Sequence, residues 1–299
     1  MAVKAGFIGL GTMGLPMAKN ILKANGQLLV ADLVDAPKEE MKSLGADVAV
    51  DNDQVCAECD VIFTSLPNHK VVELVLNSLI ENGRAGQYIV DTSTNTYRMC
   101  QELKEKADAK GIHYVDSPIS GGAARALAGD LSVMTGATEE EMEKSGVKPL
   151  LESIAREVHY TGKTGNGLAL KILNNMLSKS ILYADAEAIL MADHLGIPFE
   201  VFYNVIQSSS SQNEIFRIKK EHIQNNEYGK SNKSYSPITM SLKDLKAARE
   251  LSDDLGIANF GCNNCIQWYE MGMQRGYEEQ DSSSIVGLLR ELQPAKKND

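Results

Sequence analysis

The sequence lacks a basic stretch, and its acidic residues outnumber its basic ones. Lys and Arg total 30 against 40 for Asp and Glu, which gives a formal net charge of -10 and a pI near 5.1. Binding to nucleic acid needs clustered cations that displace counterions from the phosphates. We therefore expect no nucleic-acid partner.

Long apolar runs are also missing. No run is long enough to span a bilayer. The chain passes from Met1 directly into an apolar strand pattern, without the h-region and cleavage site of a signal peptide. We expect no membrane partner and, as the default, a cytoplasmic location. A mitochondrial matrix protein whose transit peptide had been removed has the same pattern.

Cysteine and proline are scarce, at 5 and 8 residues. Five cysteines cannot all pair with one another, and in a cytosolic protein they are most simply free thiols. Cys56 and Cys59 form one CxxC pair, and Cys262 and Cys265 form another, but neither pair has the flanking Gly and Pro turns of zinc knuckles. We therefore expect no disulfide and no metal ion.

The chain contains two different sequence textures. Short β-rich runs alternate with helical patterns up to about residue 160, one of them over residues 139–154, and this alternation is typical of parallel βαβ units. A long helical pattern over residues 166–195 follows, and no convincing strand comes after it. We predict an N-terminal Rossmann-type, doubly wound α/β domain over residues 1–163. A second, all-α domain over residues 164–299 should open with the long helix.

A glycine-rich segment directly follows the first strand pattern and opens a helix. In a dinucleotide-binding fold the first glycine makes the tight turn, the second lets the backbone approach the pyrophosphate, and the third lets helix and strand pack. The helix N-terminus then faces the phosphates, where its dipole is favourable. Because glycine-rich turns also occur for packing alone, the motif needs further support. The segment consists of Gly9, Leu10, Gly11, Thr12, Met13 and Gly14.

Asp32 provides that support. It ends the second strand pattern, near the separation of about 20 residues at which an acidic side chain accepts hydrogen bonds from the adenosine ribose. Leu33 and Val34 follow it instead of arginines, so no basic side chain directly beside Asp32 would neutralise a 2′-phosphate. Asp32 could alternatively be an exposed strand-end residue or a helix cap. We predict NAD, with NADP disfavoured.

A narrow polar stripe follows the long helical pattern. Lys171, Asn174, Asn175 and Ser178 share one helix face by their i, i+3, i+4 and i+7 spacing. Apolar residues surround the stripe, and unpaired buried polar groups cost roughly 1–3 kcal/mol each. The stripe must therefore meet solvent, a partner or a ligand. By itself the pattern favours a solvated face, because lysine is rarely buried unless it is paired.

Four segments of the chain, in this order, resemble the beta-hydroxyacid dehydrogenase family, and in particular its 3-hydroxyisobutyrate dehydrogenase and tartronate semialdehyde reductase branches. They are residues 7–20, 116–122, 165–175 and 240–245. The resemblance covers nearly the whole chain. It implies oxidation of a small 3-hydroxy acid to its semialdehyde, or the reverse reduction, and homodimers or homotetramers whose C-terminal helices pack between subunits.

The resemblance also implies roles for single residues. Lys171 would be the general acid/base, a role that typically contributes about 10²–10⁴-fold to the rate. Asn175 would orient the substrate. The substrate carboxylate would be held by Ser120 and by the backbone N–H groups of Gly121 and Gly122. The cofactor contacts that the resemblance adds are Leu66, Pro67, Thr94 and Lys243.

Alternatives remain open at two points. Residues 208–213 depart from the Ser-Ser-Gly loop of the resembled enzymes, so their extra hydroxyl and amide groups could suit a more polar semialdehyde, or the serines could cap a helix. The chain could also be a noncatalytic nucleotide-binding scaffold of the same fold, or an imine reductase. Lys171 at its spacing from Asn175 favours the dehydrogenase, because the similar imine reductases replace this lysine.

Overall fold

The computed structural model describes residues 3–230 and 235–293 of the chain. The chain divides into two compact units, Met1–Lys171 and Ile172–Asp299. Among the described residues, no helix has both the length and the apolar character needed to cross a membrane.

A six-stranded parallel sheet forms the centre of the first unit. Its strands are β1 Ala5–Ile8, β2 Leu29–Ala31, β3 Asp47–Val48, β4 Val61–Thr64, β5 Tyr88–Asp91 and β6 His113–Asp116. They pair in the order β3-β2-β1-β4-β5-β6, and every pairing is parallel. The predicted Rossmann-type α/β fold is confirmed. Because the strand order changes direction between β1 and β4, ligands are expected at the carboxyl ends of these strands.

Eight helices accompany the strands of this unit in its described residues. They are α1 Gly14–Asn25, α2 Asp35–Ser43, α3 Asn52–Glu58, α4 His69–Asn82, α5 Tyr97–Asp108, α6 Gly122–Ala128, α7 Glu139–Lys144 and α8 Lys148–Ile154. Four begin with a side-chain cap that accepts a hydrogen bond from a backbone N–H in the first turn. These caps are Asp51, Asn68, Thr96 and Thr138.

The prediction of one helix over residues 139–154 is wrong. Helix α7 ends at Lys144 and α8 begins at Lys148. Between them Gly146 has a φ of 75°, in the left-handed region that a continuing helix does not use. The apolar periodicity continues across this break because both helices bury residues in the same core.

A second, three-stranded sheet completes the first unit. Its strands are β7 Ile119–Ser120, β8 Leu131–Thr135 and β9 Ala155–Tyr160. Strand β8 pairs antiparallel with β7 and parallel with β9. One buried cluster contains Phe7 of β1, Val133 of β8 and Leu151 of α8, so the two sheets share a hydrophobic core.

The regular structure in the described residues of the second unit is helical, apart from one isolated β-bridge between Pro237 and Asp281. Its helices are α9 Asn166–His194, which begins in the first unit, α10 Phe199–Gln207, α11 Glu214–Asn225, α12 Ile238–Asp254, α13 Phe260–Gln274 and α14 Ser284–Leu292. The predicted all-α character and the long opening helix are confirmed. Helix α11 was not predicted.

Candidate functional site

The glycine-rich segment connects β1 to α1, and each of its glycines has a different role. Gly9 has a φ of 95°, and a Cβ added there would lie 2.3 Å from the Ser65 carbonyl oxygen. A Cβ on Gly14 would lie 1.8 Å from the Gly9 carbonyl oxygen, so α1 can begin against this loop only with glycine. A Cβ on Gly11 would meet no atom within 4 Å. The open space at Gly11 fits the approach of a pyrophosphate to the backbone.

The start of α1 suits an anion. Met13 precedes the helix and makes no side-chain cap hydrogen bond, unlike the residues that precede α3, α4, α5 and α7. Thr12 is exposed and Leu10 is buried. The first backbone N–H groups of a helix need acceptors, and the helix dipole favours negative charge there. Phosphate oxygens would supply both.

Asp32 joins this loop from the end of β2. Its Oδ2 accepts a hydrogen bond from the Leu10 N–H at 2.5 Å, and its Oδ1 accepts one from the Val34 N–H at 2.7 Å. Each carboxylate oxygen has a second lone pair, which a ribose hydroxyl could use. The two backbone contacts hold the carboxylate beside the glycine loop.

A cleft opens beside Asp32. Its volume of about 470 Å³ lies within the usual range for small-molecule sites. Its described lining includes two carboxylates, Asp32 and Glu40, of which Glu40 pairs with Lys19, and no lysine or arginine. This charge suits neutral ribose hydroxyls better than a 2′-phosphate. The lining residues are Leu10, Gly11, Thr12, Leu15, Pro16, Asp32, Val34, Ala36, Pro37 and Glu40.

Leu66, Pro67 and Thr94 lie at the carboxyl ends of the next two strands. The Leu66 N–H donates a hydrogen bond to the Ser93 Oγ at 2.9 Å, which joins the loop after β4 to the loop after β5. Pro67 is exposed, while Leu66 and Thr94 are half-buried. The structure therefore brings these three predicted cofactor residues to one edge of the sheet.

A buried carboxylate holds the loop that carries Thr94. Asp91, the last residue of β5, accepts hydrogen bonds from the Thr64 Oγ1 at 2.8 Å, the Ser93 N–H at 3.0 Å and the Asn95 Nδ2 at 3.0 Å. Burial raises the pKa of Asp91, and hydrogen bonds from Ser93 and Thr64 lower it. Asp91 thus holds the Ser93 backbone before Thr94 and the Asn95 side chain after it.

The predicted substrate segment passes from β7 into α6. Ser120 is half-buried at the end of β7, while Gly121 and Gly122 have φ values of 142° and 75°. Both φ values favour glycine, since other L residues rarely adopt them. A Cβ on Gly122 would meet no atom within 4 Å, so a ligand can approach this backbone closely.

Asp116 fixes the start of the helix that carries Lys171. Its Oδ1 accepts a hydrogen bond from the Gly165 N–H at 2.7 Å, and its Oδ2 accepts one from the Leu168 N–H at 2.6 Å. This side chain at the end of β6 therefore caps α9. Burial raises the pKa of Asp116 to about 6, although the two N–H donors lower it. The placement of Lys171, one turn beyond the cap, depends on this contact.

The glycines that precede Lys171 serve the same helix start. A Cβ on Gly167 would lie 2.2 Å from the Met134 carbonyl oxygen, and one on Gly165 would lie 2.2 Å from the Gln101 Nε2. Gly165 also has a φ of 95°. These glycines let α9 begin close to β8 and α5.

Lys171 and Asn175 are half-buried and lie one turn apart on α9. In the second unit the Asn175 Nδ2 donates a hydrogen bond to the Asp244 Oδ2 at 3.0 Å. Asp244 follows the half-buried Lys243 on α12. Lys243 was predicted as a cofactor contact and Asp244 was given no role, although the two are adjacent in one segment of the resemblance. The contact means that α12 orients the Asn175 amide.

The polar loop at residues 208–213 connects α10 to α11. The Ser208 Oγ donates a hydrogen bond to the Asn204 carbonyl oxygen at 2.7 Å, and the Asn213 Oδ1 accepts one from the Phe216 N–H at 2.8 Å. Both ends of the loop therefore complete helix ends.

The cysteines are not suited to bind a metal ion. All five are buried free thiols. Burial raises the pKa of Cys59 to about 12 and that of Cys262 to about 11, so the thiolate that metals bind is disfavoured. The described residues contain no group of three or more His, Cys, Asp or Glu side chains placed to hold a metal ion.

Sequence comparison relates both parts of the chain to dehydrogenases. The pattern for the NAD binding domain of 6-phosphogluconate dehydrogenase matches residues 4–162. The pattern for the NAD-binding part of NADP-dependent 3-hydroxyisobutyrate dehydrogenase matches residues 165–289.

Full-length relatives and a solved structure agree with these matches. The 2-(hydroxymethyl)glutarate dehydrogenase of Eubacterium barkeri is 33% identical over 97% of this chain and 96% of its own. The mitochondrial 3-hydroxyisobutyrate dehydrogenase of Mus musculus is 30% identical over 97% of this chain and 88% of its own. The structure of Mycobacterium tuberculosis 3-hydroxyisobutyrate dehydrogenase with L-serine is similar, with a TM-score of 0.86 and 25% identity, over 97% of this chain and 100% of that chain.

Proposed function

The chain belongs to the beta-hydroxyacid dehydrogenase family, as a dehydrogenase of the 3-hydroxyisobutyrate type, and from this premise we propose that Lys171 is its general acid/base. The proposed reaction oxidises a small 3-hydroxy acid to its semialdehyde, or reduces the semialdehyde. The observation that carries the proposal is the placement of Lys171 one turn from Asn175, on a helix whose start is fixed by Asp116.

The proposed mechanism assigns a separate task to each residue. A nicotinamide cofactor, held by the glycine loop and Asp32, would supply hydride transfer to or from the carbinol carbon. Lys171 takes the hydroxyl proton during oxidation and gives it back during reduction. Asn175, held by Asp244, orients the reacting oxygen. The Ser120 hydroxyl and the backbone N–H groups of Gly121 and Gly122 hold the carboxylate.

The roles of the two domains are also a proposal. Residues 1–163 would bind the dinucleotide through the glycine loop, Asp32, Leu66, Pro67 and Thr94. Residues 164–299 would supply Lys171 and Asn175, a cofactor contact from Lys243, and the surfaces for homo-oligomer assembly.

The test of the mechanism is Lys171→Met, which keeps side-chain length and helix propensity while it removes the proton carrier. We expect kcat to fall by about 10²-fold or more, because general acid/base catalysis is lost. NADH binding, followed by fluorescence titration, should stay near that of the wild type, since the glycine loop and Asp32 are untouched. Lys163→Met, at an exposed lysine in the turn before α9, is the matched control. A Lys171 variant that keeps most of its kcat on the best hydroxy acid would reject the mechanism.

Cofactor choice provides a second prediction. We expect a higher kcat/KM with NAD than with NADP, because Asp32 would repel a 2′-phosphate in the cleft. Asp32→Asn should lower the ratio of kcat/KM with NAD to kcat/KM with NADP by about 10-fold, the usual scale of one hydrogen bond to a charged group. Glu39→Gln, at an exposed carboxylate on α2, should leave the ratio unchanged. A wild-type preference for NADP would show that Asp32 does not bind the ribose.

A further inference from the structure

The buried face of α9 contains polar side chains at two successive positions. Positions 168, 172, 175, 179, 182, 186 and 189 follow one another at intervals of three and four, which is the pattern of a helix face in a core. Asn175 is half-buried, and Lys179 is only 9% exposed. The other five positions are buried and apolar: Leu168, Ile172, Leu182, Ala186 and Ile189. Lys179 therefore occupies a position where an apolar residue is expected.

The same unit shows how a buried lysine is normally compensated. Lys219 on α11 is 2% exposed, and its Nζ donates a hydrogen bond to the Asp281 Oδ2 at 2.7 Å. Asp281 also accepts hydrogen bonds from the Ser236 N–H at 2.8 Å and the Ser283 Oγ at 2.6 Å. Both carboxylate oxygens of Asp281 are thus occupied by other donors.

Lys179 has no equivalent contact. Within the described residues its Nζ makes neither a hydrogen bond nor an ion pair. Burial lowers the pKa of Lys179, while the charges of Asp244 and Asp281 raise it without touching the ammonium group. Asp244 accepts a hydrogen bond from Asn175 and Asp281 binds Lys219. A lysine side chain that is nine-tenths buried and has no contact partner is unfavourable, so a ligand anion would complete the site.

We propose that Lys179 binds a second carboxylate of the substrate, so that the enzyme acts on hydroxy acids that are dicarboxylates. The inference rests on the proposed function, because it takes Lys171 as the reacting end of the site. Asn175 lies one turn from Lys171, and Lys179 lies one turn further along the same helix. Their Cα atoms therefore span about 12 Å along the helix axis. Because both lysine side chains are long, they could reach the two ends of a short dicarboxylate that lies beside the Asn175 amide.

Steady-state kinetics with matched substrates test the proposal. The probes are 2-(hydroxymethyl)glutarate, which has two carboxylates, and 3-hydroxyisobutyrate, which has one. We expect the wild type to prefer the dicarboxylate, and Lys179→Met to lower its kcat/KM for that substrate by about 10- to 100-fold. The kcat/KM for the monocarboxylate should change little. Lys246→Met, at an exposed lysine that pairs with Glu270 at 2.8 Å, should affect neither substrate.

Thermal stability supplies a readout that does not need turnover. Lys179→Met should raise the Tm of the free protein, because it replaces a buried charge with an apolar chain of similar length. Glutarate, added with NADH, should raise the Tm of the wild type more than butyrate does. In Lys179→Met, glutarate and butyrate should raise the Tm equally. In Lys246→Met, glutarate should still raise the Tm more than butyrate does.

The outcomes separate the two proposals. Equal wild-type kcat/KM values for both substrates, or an equal loss for both in Lys179→Met, would overturn the role of Lys179. If the wild type turned over no hydroxy acid at all, the proposed function would fail, while the glutarate shift would still report on Lys179. If Lys179→Met did not fold, Lys179→Gln would replace it in both measurements.

Discussion

Two buried carboxylates hold the backbone around the candidate site. Asp91 and Asp116 end adjacent parallel strands and lie opposite each other in the register of β5 and β6. Each is 2% exposed, and burial raises the pKa of both. Each accepts hydrogen bonds from backbone N–H groups of the segments that carry proposed site residues. Burying a carboxylate is unfavourable, but the hydrogen bonds of these two side chains fix the loop at Thr94 and the start of α9.

The pKa of Asp116 leads to a prediction about stability. Burial raises it from 3.8 to about 6, with a smaller contribution from the Asp91 charge, so the folded chain binds this proton more tightly than the unfolded chain. The stabilisation is complete below the unfolded pKa and is lost as pH rises through about 6. We expect the free energy of unfolding of the wild type, minus that of Asp116→Asn, to fall over this range and then level off.

Urea unfolding at a series of pH values measures this difference. Glu105→Gln, at an exposed carboxylate on α5, is the control and should show no such fall. A difference that stays constant, or that increases with pH, would contradict the assignment of the raised pKa to Asp116.

Sequence patterns could predict site residues together only where these residues are close along the chain. Lys171 and Asn175 were assigned to one face because helical periodicity is a local property. The cap from Asp116 to Gly165 joins positions 49 residues apart, and the contact between Asn175 and Asp244 joins positions 69 residues apart. No local spacing encodes such contacts, so the residues that position the proposed acid/base had to come from the structure.

At the junction of β1 and α1, one glycine is needed for packing and another faces open space that a ligand could enter. Gly14→Ala would place a Cβ 1.8 Å from a backbone oxygen, so the helix or the loop must shift. We expect a loss of about 1–3 kcal/mol in the free energy of unfolding, the usual cost of overpacking. Gly11→Ala meets open space and should leave stability nearly unchanged. Chemical denaturation of both variants measures the difference.

Gly11→Ala is also the informative variant for the cofactor. If the pyrophosphate approaches this backbone, the added methyl group should weaken NADH binding by about 10-fold or more. Fluorescence titration of NADH gives the dissociation constant. Unchanged binding in Gly11→Ala would mean that the open space at Gly11 does not receive the dinucleotide.

The sequence patterns missed helices α3, α6 and α11 and strands β3 and β7, and α3 and α6 are only seven residues long. Helix α6 begins at two glycines with positive φ. Strands β3 and β7 contain two residues each, which is too short for an alternating pattern to be recognised. Helix α11 did carry a start signal, because Asn213 caps it and Glu214 follows in the first turn. A helix cap at the serines before Asn213 was left open, but no helix was assigned after them.

For the whole molecule, a second face of α9 bears on assembly. Large apolar side chains are exposed at intervals of three, four and ten residues along this 29-residue helix. They are Leu170, Leu173, Leu177, Ile181 and Met191. Contiguous exposed apolar surface marks an interaction site. A helix of this length extends over about 44 Å, so a second copy of the same helix could cover the stripe symmetrically.

We therefore expect a homodimer or homotetramer whose assembly depends on this stripe. Leu177, which is 55% exposed near its centre, is the residue to change. Leu177→Glu would place a charge in each copy of a symmetric interface, so sedimentation velocity should shift from a multiple of 32.6 kDa towards the monomer. Leu74→Glu introduces the same charge at a 73% exposed leucine on α4 and should leave the mass unchanged. A wild type that sediments only as a monomer, or an assembly indifferent to Leu177→Glu, would show that this face of α9 does not join subunits.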